Sequence, residues 1–175
     1  VEKFDAFGMT VIFSDNAFDA VSASMQFVDQ LTENSAKNNF RIGLGTANAT
    51  VGVMGNNSRM SITVMSEELI LMEYASRCLS KMQISHFAMQ SMIGEIQNNS
   101  GFSNYRFIGQ IKHPKQDKPI KIYEFINARN LYERKLYLGT KSLFERAVND
   151  YIEGNLAEAR KTFSSILKIN ESDKM

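Results

Sequence analysis

The sequence is poor in the features that mark several large protein classes. It holds one cysteine, Cys78, in 175 residues. That count excludes an internal disulfide framework and favours a reducing compartment, and on composition alone Cys78 reads as a small buried apolar residue. Charge of one sign is also missing, because 20 Lys and Arg against 19 Asp and Glu leave a formal +1. A chain so balanced lacks the electrostatic footprint of a nucleic-acid binder or a polybasic membrane-surface protein, so no nucleic-acid partner is expected. No run reaches the roughly 18 consecutive apolar residues of a membrane span, and neither a basic nor an apolar leader region follows Val1. The expected location is therefore cytoplasmic. Because the chain opens inside an apparent strand, it also reads as part of a longer polypeptide, whose upstream segment could supply a sensor or a membrane tether. There are two histidines, His86 and His113, with no partner at metal-ligand spacing, and no G-x-x-x-x-G-K phosphate loop. Neither a Ser/His/Asp set nor a histidine-based metal site can be assembled from them.

What is present is the composition of a folded domain, with 43% apolar and 22% charged residues and two prolines. Two short apolar runs lie between Lys3 and Phe13, and the second, Met9 to Phe13, is β-branched and aromatic, which predicts a hairpin. Asp15 or Asn16 can cap a following helix whose apolar positions Phe18, Val21, Met25, Val28 and Leu31 step by three and four. Phe40 to Ala47 and Thr50 to Met54 read as two strands, followed by the turn residues Gly55-Asn56-Asn57-Ser58. From Ser66, a cap with Glu67 and Glu68 in the first turn, helical spacing of Leu69, Met72, Ala75 and Leu79 predicts a second helix. A short strand over His86 to Met89, a small helix over Met92 to Ile96, and strands Tyr105 to Lys112 and Pro119 to Ile126 follow. The ten methionines, among them Met54, Met60, Met65 and Met72, read as adaptable core filling.

Strand pair, helix, strand pair, helix, strand pair predicts an α+β, ferredoxin-like sandwich with helices Asn16 to Asn34 and Ser66 to Lys81 on one face of the sheet. From about Leu131 the pattern is all helical. Leu143 to Glu153 and Ala157 to Lys168 form a helical hairpin turned at Gly154-Asn155. The run Ala147, Gly154, Ala159, Phe163, Leu167 has the small and large residues of one tetratricopeptide repeat. The expected division is residues 1–127 and a helical extension over residues 128–175. A lone repeat buries its apolar face only on a neighbour, so it must pack on the first domain or begin an array.

Three segments, Arg41-Ile42-Gly43-Leu44-Gly45-Thr46, Val51-Gly52-Val53-Met54-Gly55 and Arg59-Met60-Ser61-Ile62-Thr63-Val64-Met65, together resemble the central strands of class III adenylate and guanylate cyclase catalytic domains. Lys3-Phe4 through Phe13 is similar to that family's K-F-x-G-D and M-A-V-F hairpin. Phe107-Ile108-Gly109, Pro119-Ile120 and Ile122 to Phe125 are similar to its final strand pair. Thr140 to Ser172 resembles the helical repeat that many bacterial members carry, whereas the family's first strand and first two helices have no counterpart.

The resemblance implies a site shared between two protomers, with paired Asp residues holding Mg²⁺ or Mn²⁺ and an Asn and an Arg from the facing protomer stabilising charge on the phosphate. In register with Lys3 and Phe13, the metal Asp position holds Phe7, and a shift of one residue would bring Asp5 near it. The Asn and Arg positions hold Ile70 and Tyr74, and the phosphate-binding Lys falls on Pro114, with Lys112 and Lys115 close by. Lys3 and Thr63 match the family's purine-contacting pair, Thr often accompanying adenine. As plain residues they are also ordinary strand surface, and Ile70 and Tyr74 ordinary packing.

Three functions follow. The first is a catalytically degenerate homology domain of cyclic-nucleotide signalling that acts as a homodimer or with another cyclase-type domain, with no catalytic residue, no metal ligand and no cofactor expected. The second is an adenylate cyclase converting ATP to cyclic AMP and pyrophosphate, which would need Mg²⁺ or Mn²⁺. The third is an adaptor that binds a protein partner through the helical repeat.

Overall fold

The structure is a computed structural model that describes residues 3–5, 8–14, 16–33, 40–82, 84–100, 104–126 and 129–173. In chain order the elements are β1 (Lys3–Asp5), β2 (Gly8–Thr10), α1 (Ala17–Glu33), β3 (Ile42–Leu44), β4 (Thr50–Asn56), β5 (Arg59–Met65) and α2 (Glu67–Cys78). A 3₁₀ turn (Leu79–Lys81) leads to β6 (His86–Met89), α3 (Gln90–Ser100), β7 (Tyr105–Ile111), β8 (Ile120–Phe125), α4 (Leu131–Ile152) and α5 (Leu156–Ile169). The fold is α+β, with a mixed sheet and two packed helices at the end.

The central sheet has the order β3-β6-β8-β7, with β3 parallel to β6 and the other pairs antiparallel. A bulge at Ile108 separates Phe107 from Gly109 in the β7–β8 register, and Gly109 takes a φ of +143° there, where a side chain would be strained. Among the described residues, β1–β2 and β4–β5 are two separate antiparallel ribbons. Thus β3 joins β6 rather than pairing with the strand that begins at Thr50. Gly43 is the local reason: a Cβ there would lie 2.5 Å from Met72 Sδ and 2.6 Å from Phe87 Cζ, so glycine lets α2 lie directly on β3 and β6.

Helix ends follow their sequence signals. Asn16 Oδ1 accepts from Phe18 N, Ser66 Oγ from Glu68 N and Asn130 Oδ1 from Glu133 N. Gly154, at φ +86°, turns α4 into α5.

The core divides across the sheet. Ala88, Tyr105 and Phe125 pack with Ala20 and Val21 of α1 and Met92, Ile93 and Ile96 of α3. Phe87, Met89 and Ile122 pack with Leu71 and Ala75 of α2, Phe144 and Val148 of α4 and Ile166 of α5. Side chains alternate along β6, so these clusters lie on opposite faces, and α1 and α2 do as well. This corrects the expectation of both helices on one face. Every residue of His86–Met89 is buried, so that strand shows no polar alternation from which the two covers could be read. Two further readings change. Cys78 is exposed, at the end of α2. Of the four methionines assigned to the core, Met54, Met60 and Met65 are exposed, and Met72 is partly buried.

Candidate functional site

The β4–β5 ribbon pairs residue for residue from Thr50↔Met65 to Asn56↔Arg59. Val51 opposes Val64, Val53 opposes Ile62 and Gly55 opposes Met60, and because partners in an antiparallel pair share a face, one side of the ribbon is apolar from end to end. That side is open: Val51, Val53, Met60 and Ile62 are each 66–68% exposed. Gly55, at φ +151°, is required for the closing turn, since a Cβ would come 2.0 Å from the Arg59 carbonyl oxygen.

Immediately after the ribbon, Ser66 starts α2 and places Ile70 and Tyr74 one turn apart. Ile70 is 60% exposed. Tyr74 turns back on its own chain: its hydroxyl donates to the Lys112 carbonyl oxygen at 3.2 Å, and its ring meets His113 edge-on with centroids 4.8 Å apart. Gln116 Nε2 donates to Glu67 at the start of the same helix, and Lys115 N donates to His113 Nδ1. The loop bearing Lys112, Pro114 and Lys115 is thereby tied to α2, and two of the positions the resemblance singles out, Tyr74 and the loop lysine region, meet.

The other positions lie apart in the strand pairing. Lys3 stands opposite Thr10 in the first ribbon, and Thr63 opposite Gly52 in the second. Phe7 lies outside the described residues. Asp5 stands opposite Gly8. Among the described residues, no group of three or more His, Cys, Asp or Glu is placed to hold a metal ion.

A separate charged cluster is buried under the C-terminal helices. Arg106 of β7, fully buried, donates Nε to Glu124 Oε2 at 2.9 Å and both terminal nitrogens to the two carboxylate oxygens of Asp173 at 2.7 Å. Its guanidinium lies 3.9 Å from the Phe144 ring centroid and 4.3 Å from that of Tyr137. Arg129 reaches Glu124 Oε1 at 2.6 Å and lies over Tyr137. Burial alone would lower the pKa of Arg106, and the bonds and charges of Asp173 and Glu124 outweigh it and hold the guanidinium charged. No motif or spacing in the sequence singles out these residues. The available signal was a charge inside an apolar strand, in Tyr105-Arg106-Phe107-Ile108 and again in Tyr123-Glu124-Phe125.

His86 finds a partner that spacing could not reveal. Its Nε2 lies 3.0 Å from Ser24 Oγ on α1, and burial lowers its pKa to about 4.

No helix among the described residues is long and apolar enough to cross a membrane. No protein-family model matches the chain, and no curated protein matches it in sequence. In three dimensions it is similar to two solved structures of a bacterial light-regulated adenylyl cyclase, each at a TM-score of 0.51, with 13% and 14% sequence identity. Each match covers 74% of this chain and 38% of the other, so this chain spans well under half the length of those cyclase chains. At such identity the likeness shows the fold: this is an α+β domain with a cyclase-like mixed sheet that ends in two packed helices.

Proposed function

We propose that this chain is a cyclase-homology domain of cyclic-nucleotide signalling that has lost catalysis and acts by association with a second copy or another cyclase-type domain. The observation that carries the reading is the continuous apolar surface of Val51, Val53, Met60 and Ile62, left open, with Ile70 also exposed on the helix that follows the ribbon in the chain. A monomer gains nothing from exposing such a face, whereas an interface core is depleted of charge in this way. Ile70 stands where the resemblance expects a polar group that meets the phosphate, and a branched aliphatic side chain cannot donate to it. Tyr74 stands where Arg is expected. It is neutral, is engaged by Lys112, and lacks guanidinium geometry. In this reading residues 1–127 form the homology domain, residues 128–175 its helical extension, and Lys3 and Thr63 are what persists of a purine pocket.

Purified protein given ATP or GTP with Mg²⁺ or Mn²⁺ is the test of lost catalysis. No cyclic nucleotide above background is expected, since loss of one preorganised donor to developing charge costs on the order of 10²- to 10³-fold in rate. Turnover that disappears on Asp5→Ala would contradict the reading and support the active adenylate cyclase instead.

A further inference from the structure

α4 makes the main contact with the sheet, at β7, and α5 lies chiefly on α4, reaching the same core cluster through Ile166. The inner surface of α4 is fully assembled: Tyr137, Thr140, Phe144, Ala147 and Val148 are buried. α5 covers it with Ala159, Thr162 and Ile166, and the Phe144 and Phe163 rings meet at 5.6 Å.

Beyond α5 the chain does not leave the surface. Asn170, which caps the helix through a bond from its N–H to the Ile166 carbonyl, is buried, and its Oδ1 accepts from Ser172 Oγ. The Ser172 carbonyl oxygen accepts from the Tyr137 hydroxyl at 3.2 Å. Asp173 then passes under the helices and engages Arg106 on the sheet with both carboxylate oxygens.

We propose that Asn170–Asp173 is a strap that closes α5 over α4, with the Asp173–Arg106 pair as its lock and the Gly154 turn as its hinge. When the lock is broken, α5 and the strap open as one layer while the sheet and its α1–α3 cover stay folded. The chemistry favours a lock over ordinary packing. Arg106 holds two carboxylates, and one of them, Glu124, is shared with Arg129. Removing the Asp173 charge leaves the fully buried Arg106 with Glu124 alone, a carboxylate it shares with Arg129, an arrangement whose strain falls on the strap and the α4–α5 seam. The opposite face of the sheet, built on Ala88, Ile93 and Phe125, shares none of these groups.

Hydrogen exchange of the full chain, read by peptide, tests the strap in the wild type, in Asp173→Asn and in Glu171→Gln, an exposed neighbour that serves as control. In Asp173→Asn the amides of α5 are expected to exchange roughly tenfold faster or more, with β6 within about twofold of wild type and Glu171→Gln unchanged. Unchanged α5 exchange would overturn the proposal, and so would equal acceleration of α5 and β6, which would make the pair one more part of a single cooperative core. Should Asp173→Asn fail to fold, Tyr137→Phe removes the hydroxyl bond to Ser172 and leaves both ion pairs. It is expected to speed α5 selectively by a few-fold, and wild-type exchange in that variant would equally overturn the strap.

Discussion

Ser24 and His86 meet across the seam between α1 and the central sheet, with His86 Nε2 3.0 Å from Ser24 Oγ. Ser24 Oγ donates its own proton to the Val21 carbonyl oxygen at 2.6 Å, so His86 Nε2 must be the donor to Ser24 and Nδ1 carries the lone pair. His86 Nδ1 is buried without a hydrogen-bond partner, and the ring lies 4.8 Å from that of Phe125. The site suits a neutral imidazole and offers nothing to a second N–H.

This pairing sets a pH dependence. Burial lowers the folded-state pKa of His86 to about 4, below its ordinary 6.5, so the unfolded chain binds more protons between these values. The stabilisation is complete above about pH 6.5 and is lost as pH falls toward 4, about 3 kcal/mol in all. Denaturant unfolding between pH 5 and 6.5, where ordinary carboxylates remain ionised, is expected to show stability falling with acidity in the wild type. In His86→Gln that slope is expected to flatten. An equal slope in both would place the acid sensitivity elsewhere.

Gly43 and Gly52 provide a contrast within the segments that resemble the cyclase strands. A Cβ on Gly43 collides with Met72 and Phe87, whereas one on Gly52 meets nothing within 4 Å. Gly43→Ala is expected to cost about 1–3 kcal/mol by overpacking the seat of α2 on β3. Gly52→Ala is expected to stay within about 0.5 kcal/mol of wild type. Thermal unfolding of the two variants checks this, and equal stability would show that α2 does not rest on Gly43.

The order of elements was legible because each carries a local signal. His86 to Met89 reads as a strand and is one, Ser66 reads as a cap and accepts from Glu68 N, and Gly154 reads as the helical turn. Partnership was not legible. The apolar stripe of α1 shows that it is covered, but not by which side of the sheet, and β3 reads as the mate of β4 until Gly43 is seen beneath Met72. Composition assigned Cys78 and the methionines of β4 and β5 to the interior because apolar residues are usually inside. That rule fails where an apolar surface is left open. Arg106, Glu124 and Asp173 are separated by 18 and 67 positions from the arginine, and no local pattern connects them. At the candidate site, residue identities came from the resemblance, whereas the structure alone distinguishes Ile70, open to solvent, from Tyr74, held by Lys112.

Association through the open apolar surface is the central claim, and sedimentation equilibrium of the wild type beside Ile62→Lys and Ile70→Asn tests it most directly. Both positions are exposed in the monomer, so the variants are expected to keep the wild-type unfolding midpoint within a few degrees. Each removes an aliphatic side chain whose burial is worth roughly 1.5–3 kcal/mol, and the lysine adds a charge to an apolar core. The account predicts a wild-type dimer and at least about tenfold weaker association in each folded variant. A wild type that stays monomeric at high concentration, or dimers of equal strength in all three proteins, would contradict it.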